Sequence, residues 1–211
     1  MPKQHHPPLT FALSLGLATV LWGIMFSPWT VPLIDFWTVM SISALLLTVT
    51  GVYLGRHWRT QFVFSPVEIG IGIISAAVLW FIFYMGHFFS TLLFDFATPQ
   101  IGSIYAIKAG KSPILIGLLL LFLIGPAEEI FWRGYLQRTL IIHYGENRAW
   151  IFASLAYALV HIWAFNFMLL MAALICGIFW GALYRWRKNL TATIVSHALW
   201  DVAVFLWFPL G

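Results

Sequence analysis

The sequence predicts an all-α fold, a polytopic transmembrane helical bundle of about seven spans. Three observations predict it. The 211 residues are 62% hydrophobic and 9% charged, against roughly 45–50% and about 25% in soluble domains. The apolar residues form seven long runs. These runs are continuous, where the strands of a membrane barrel would alternate. The same composition excludes a soluble globular protein, a disordered chain, a coiled coil and a nucleic-acid-binding protein. The chain is read as a single integral membrane domain, 1–211. Its net charge of +4 is spread thinly and reports topology rather than a basic patch.

A helix needs about 20 apolar residues to cross a hydrocarbon core of ~30 Å. The first run, 9–26, competes with a signal-peptide reading. It is long for one and lacks a clear small-residue cleavage site, so a retained helix is expected. Further spans follow at 36–54, 67–94, 113–142, 149–165, 167–184 and 190–208. Pro28 and Pro32 break the chain after the first span. The stretch 97–112, with Pro99, Gly102 and Gly110, reads as the largest loop. Only Asn166 separates the fifth and sixth spans, which must form a hairpin or one broken helix. With a cytoplasmic N-terminus, Lys3, Arg56, Arg59, Arg138, Arg148, Arg185, Arg187 and Lys188 fall inside. Only Lys108 and Lys111 fall outside, beside Asp35 and Asp95. Cytoplasmic loops carry the excess of Lys and Arg, which predicts an N-inside, C-outside chain. Trp29, Trp37, Trp58, Trp150, Trp186 and Trp207 sit near span ends, as interface aromatics do. There is no internal repeat, and the lone Cys176 has neither a disulfide partner nor a base beside it.

Ionisable residues inside spans are costly and mark function by default. Eight remain: Glu68, His87, Glu128, Glu129, Arg133, His161, His197 and Asp201. Six lie in the C-terminal half on three helices. Glu129 and Arg133 are four apart and share a helix face in the favoured acid-before-base order. Glu128 is turned about 100° from Glu129 and is free for other work. Tyr157 and His161, and His197 and Asp201, repeat the four-residue spacing. At ~1.5 Å per residue, His161, Glu128, His197 and Asp201 fall ~10–21 Å from the predicted cytoplasmic helix ends. A shared cavity opening toward the cytoplasm is expected.

The chemistry of that set is hydrolytic. A buried glutamate near a cation can take a proton from water, and a histidine can hold that water. A second histidine with an acid or amide can steady the oxyanion formed when water adds to a peptide carbonyl. No GxSxG or SxxK motif is present, and neither is HExxH.

Glu128-Glu129-Ile130-Phe131-Trp132-Arg133-Gly134 resembles the EExxxR(G) motif of the CAAX-protease and bacteriocin-processing (CPBP, or Abi) intramembrane proteases. Tyr157-Ala158-Leu159-Val160-His161 resembles their second motif, and His197-Ala198-Leu199-Trp200-Asp201 their third, HxxxN or HxxxD. The motifs occupy 113–208. The resemblance implies an intramembrane endopeptidase of an all-helical bundle. Its substrate would be a membrane-associated protein or peptide, either lipidated and CAAX-type or a leader peptide. It implies Glu128 as the base that activates water, with His161 alongside. Glu129 and Arg133 would fix the cavity charge, and His197 and Asp201 would form the oxyanion site. Asp201 stands where the prenyl-protein branch has Asn. An ionised Asp cannot donate to an oxyanion, so Asp201 is protonated, or orients His197, or is a metal ligand. A metal-dependent alternative would use a divalent ion such as zinc on Glu128, His161 and His197, a His₂Glu set. The metal-independent glutamate mechanism is preferred. The short chain looks like the prokaryotic members, which places it in a cytoplasmic (inner) membrane, in contact with lipid and not with nucleic acid.

Blander roles stand beside these. Glu129–Arg133 is first an internal ion pair, Tyr157 a core residue whose hydroxyl can line the cavity, and His87 a structural residue near Tyr84. His5, His6, His57 and His143 read as loop or interface residues. Gly16, Gly23, Gly72, Gly177 and Gly181 permit close helix packing, and Gly125-Pro126 kinks or starts the helix bearing Glu128. Two other functions compete: a non-catalytic bacteriocin-immunity or scaffold protein of the same fold, and an ion-coupled transporter. The transporter would need inverted repeats that the asymmetric charge argues against.

Overall fold

The computed structural model describes residues 9–55 and 58–210, and among these every regular element is helical. The first helix is α1 (Leu9–Phe26), followed by a 3₁₀ turn, Val31–Leu33. Several later helices start where a side chain takes up a free N–H group. Asp35 Oδ1 accepts from the Thr38 N–H at 2.9 Å and opens α2 (Phe36–Leu54). Ser65 caps α3 (Pro66–Leu93), with Pro66 at the first helical position. Ser112 and Pro113 do the same for α5 (Pro113–Tyr144), after the short α4 (Ala97–Ala106). Helix α6 (Glu146–Leu159) ends in a 3₁₀ turn, Val160–Ala164. Asn166 then caps α7 (Phe167–Arg187), and α8 (Thr191–Trp207) follows.

All seven expected segments are helices. Five of them, α1, α2, α3, α5 and α7, are long and apolar enough to cross a membrane. Helix α6 has 14 residues, or ~21 Å at 1.5 Å each. By itself that is short of a ~30 Å core, and the contiguous 3₁₀ turn Val160–Ala164 extends it by roughly 10 Å at about 2.0 Å per residue. Helix α8 is also below spanning length by this measure. The expected loop at 97–112 is corrected: it holds α4, whose Pro99 stands in the first turn, where its missing N–H costs nothing. Lys3, His5, His6, Arg56 and His57, and the Trp58 side chain, lie outside the described residues.

The helices alternate in direction and give the bundle two ends. At the α4 end, Asp35 meets Lys111, and Trp37 Nε1 donates to Ile107 O at 3.0 Å. Trp37 is therefore buried rather than interfacial, whereas Trp29, Trp186 and Trp207 are exposed. Helix α4 is tied to α8 by Tyr105 Oη to Val204 O and Lys108 Nζ to Phe205 O, both 2.9 Å. It is tied to the α6–α7 turn by Asn166 Nδ2 to Gln100 O at 2.9 Å. At the opposite, basic end, Arg187 binds Glu68, and Lys188 holds the Glu146 carboxyl below its usual range.

Close approach of two helices requires glycine at several places, two of which flank the site. A Cβ on Gly177 would lie 2.9 Å from Ser154 O, so this glycine seats α7 on α6 within the chain. A Cβ on Gly125 would lie 3.0 Å from the Ala198 Cα, so this one lets α5 touch α8 beside His197. Pro126 cannot donate to the helical ladder. Helix α5 widens into π turns at Leu120–Ile124 and again at Ile130–Gln137, on either side of the two glutamates.

Candidate active site

The two consecutive glutamates divide as their positions on α5 predict. Glu129 is fully buried, and its Oε1 accepts from Arg133 at 2.7 Å and meets His197 Nδ1 at 2.8 Å. Arg133 lies over the rings of Tyr157, at 4.7 Å, and Trp180, at 5.5 Å, in cation–π geometry. Trp180 in turn stacks on His197, with centroids 3.7 Å apart and planes at 17°. This network fixes His197 from one face and from its Nδ1 side. Its Nε2 lies 3.5 Å from Asp201 Oδ2. Glu128 points elsewhere. Its Oε2 accepts from the Tyr157 hydroxyl at 2.8 Å, whereas Glu129 keeps its own Oε2 buried without a partner among the described residues.

Glu128, Tyr157, His161, His197 and Asp201 all line one cavity of about 570 Å³. The remaining wall is largely apolar. Its side chains come from α1, α2, α3, α4, α5, α7 and α8 as well, among them Phe26, Met40, Phe83, Ile104, Leu120 and Met171. Glu129 and Arg133 lie behind the wall. The structure brings these five sequence-selected residues to one cavity. Sequence reasoning left α1–α3 without a part, yet all three contribute to the wall. His87, read as structural, also lines the cavity, and Cys176 is a small buried wall residue.

Two expectations change. The first concerns His161. Its Nδ1 faces Tyr157 O at 2.8 Å, and its Nε2 faces the Trp22 indole N–H at 3.1 Å. A carbonyl only accepts and an indole N–H only donates. These partners fix a neutral imidazole with the proton on Nδ1. The Nε2 lone pair, expected to hold water or a metal, is already engaged. Nothing in the sequence around Trp22 signals this contact, which spans 139 positions.

The proposed His₂Glu metal set meets the same obstacle. Tyr157 O and the Trp22 indole engage both ring nitrogens of His161, while Glu128 and His197 are each held at one atom only. Among the described residues no group of three His, Cys, Asp or Glu side chains is placed to hold a metal ion. These side chains do not fit a metal in this arrangement.

The second change is the position of the cavity. Every lining residue lies at or above Glu128, toward the α4 end. No lining residue comes from the basic end, the end that the charge pattern leads one to expect on the cytoplasmic side. The physical cause is packing. Below Glu128, Phe131, Trp132, Leu136, Gln137 and Trp180 are each at most 1% exposed and fill the bundle.

Residues 110–203 match a protein-family model described as type II CAAX prenyl endopeptidase Rce1-like. The match is consistent with the CPBP resemblance, and it takes in all three motifs while leaving α1, α2 and α3 outside. No curated protein and no solved structure matches the chain. With five helices long and apolar enough to cross a membrane, this is an integral membrane protein whose residues 110–203 are similar to a CAAX endopeptidase family.

Proposed function

We propose that this Rce1-like chain is an intramembrane endopeptidase in which Glu128 activates water against a peptide bond of a membrane-associated substrate. One observation carries the reading. Of two adjacent buried glutamates, one lies behind the wall and binds an arginine and a histidine through a single oxygen, while the other stands in the cavity wall, oriented by the Tyr157 hydroxyl.

The steps follow from the geometry. Tyr157 donates to Oε2 and orients the carboxylate, so Oε1 receives the proton of a water. The hydroxide oxygen bonds to the peptide carbonyl carbon, and the carbonyl oxygen becomes an oxyanion. The Nε2 edge of His197 lines the cavity and is the donor for that charge, held in place by Glu129 and Trp180. Asp201, 3.5 Å from that nitrogen, is a positioning residue. The proton on Glu128 then passes to the amide nitrogen as the C–N bond breaks, leaving a carboxylate and an amine. His161, neutral and satisfied on both nitrogens, supports Tyr157 rather than binding the water. We read the chain as N-inside with seven spans from the charge asymmetry of its two ends, and as a prokaryotic cytoplasmic-membrane protein from its short length.

The test is terminal-peptide proteomics on membranes from the source cell. Wild type, a deletion, and the deletion rescued with Glu128→Gln are compared. Peptide termini lost in both mutants support the reading and name the substrate. A Glu128→Gln strain that matches wild type overturns it in favour of an immunity or scaffold role.

A further inference from the structure

Helix α3 lies outside the family match, yet it turns one face to the cavity. Phe83, Gly86, His87, Ser90 and Phe94 all line it, at the three- and four-residue steps that share a helix face. Helices α3 and α8 run parallel, with Gly72 packed against Val195 and the Phe83 ring 4.6 Å from that of Trp200. His87 stands four residues beyond Phe83, and His197 three residues before Trp200. At ~1.5 Å per residue, the level of His87 is roughly 10 Å along the bundle from that of His197. The surroundings keep the His87 ring available. Ser90 Oγ and Thr91 Oγ1 donate to the His87 carbonyl, at 3.1 and 2.9 Å, so their protons go to the backbone. Tyr84, its expected neighbour, stacks on Trp80 instead, at 5.5 Å. A Cβ on Gly86 would meet nothing within 4 Å, which leaves open space beside the ring. Among the described residues no hydrogen bond or ion pair engages the imidazole. A polar ring in an apolar wall costs free energy until something pairs with it.

We propose that His87 is a substrate-binding residue, whose ring pairs with a backbone peptide group of the bound segment. The assignment rests on the endopeptidase reading. A peptide group that enters an apolar wall leaves water behind and must find a partner there. It presents one N–H and one C=O, and a neutral imidazole offers one donor and one acceptor. An extended chain advances ~3.3 Å per residue. A segment whose scissile carbonyl sits at His197 therefore reaches the level of His87 after about three residues. His87 adds a second fixed point to the site, and two fixed points set the register in which a chain is cut. Because the pairing is to backbone, it selects an extended segment rather than a particular side chain.

The test uses the full chain in detergent and a synthetic peptide spanning a terminus that is lost with Glu128→Gln. His87→Ala is expected to raise KM roughly tenfold, as for one lost hydrogen bond, with little change in kcat or in the thermal unfolding midpoint. His87→Gln keeps a donor and an acceptor and is expected to recover most of that loss. Gly86→Leu fills the space beside the ring while leaving His87 in place, and is expected to raise KM as well. Esters replacing single peptide bonds of the substrate locate the contact. One ester, about three residues from the cut, should raise KM with the unaltered protein and add nothing with His87→Ala. Unchanged KM in His87→Ala or in Gly86→Leu, or ester effects that add fully to His87→Ala, overturns the assignment and leaves the endopeptidase reading intact. A lowered midpoint that His87→Gln fails to restore marks a structural residue and overturns it too. Absence of any Glu128-dependent terminus overturns that reading and the assignment together.

Discussion

In the basic half of the bundle, polar side chains meet one another. Arg133 binds Glu129, Gln137 donates to Gly181 O at 2.9 Å, and Gln61 joins Gly134 O at 3.0 Å to Tyr184. In the α4 half, Glu128, His87 and Asp201 face a cavity among aromatic and aliphatic walls. Glu128 and Glu129 sit on either side of this divide, one residue apart. A membrane interior can hold a carboxylate that faces open space because the neighbouring turn of the same helix is locked. The sealed half supplies rigidity, and the hollow half supplies reactivity.

That contrast breaks most visibly by substituting each glutamate in turn. Glu128→Gln is expected to lower hydrolysis of the substrate named by proteomics by about 10³-fold, within the range for a lost general base, and to leave the thermal unfolding midpoint in detergent unchanged. Glu129→Gln or Arg133→Met removes one member of a buried ion pair, which costs about 3–5 kcal/mol and lowers that midpoint strongly. Equal unfolding midpoints for the two glutamate variants would remove the division of roles. Tyr157→Phe sharpens the picture from the hollow side. It deletes one hydrogen bond to Glu128, and a fall of roughly tenfold in kcat is expected from about 1.5 kcal/mol, with little change in stability. Unchanged kcat would make the hydroxyl a bystander.

Trp22→Phe has a smaller effect. It frees the His161 Nε2 lone pair, and ¹⁵N spectra of labelled histidine should show that nitrogen move toward the unbonded position while Nδ1 stays protonated. No movement would mean that the indole does not engage the ring. The smallest effect is at the rim. Lys111, bonded to Asp35, pulls that carboxyl down from 3.8 to about 2. A lowered acid stabilises the fold above its unfolded value and loses that contribution as pH falls through its folded one. A slight drop in unfolding midpoint is therefore expected between pH 4 and pH 2, absent in Asp35→Asn.

The sequence carried the helices and the polar set for plain reasons. Apolar runs of span length leave few readings, and acids and bases placed in them stand out against that background. The four-residue spacings revealed the Glu129–Arg133 pair directly, since a helix face is local. What was not legible is tertiary. Nothing local links Trp22 to His161, distinguishes a filled half of a bundle from a hollow one, or shows that a Pro-containing stretch after α3 folds into α4. The place of the cavity in the α4 half depended on where Phe131, Trp132 and Trp180 pack, and bulky residues look the same in sequence whether they seal a floor or face lipid.

The bond from Trp22 to His161 joins the earliest described helix to a turn made much later in synthesis. As the chain leaves the ribosome, α1 enters the membrane long before its histidine exists, and His197 and Asp201 follow later still. A nascent chain that already holds both glutamates has neither the oriented imidazole nor the oxyanion donor. The order of synthesis thus defers assembly of the proposed hydrolytic centre until the last helix has docked.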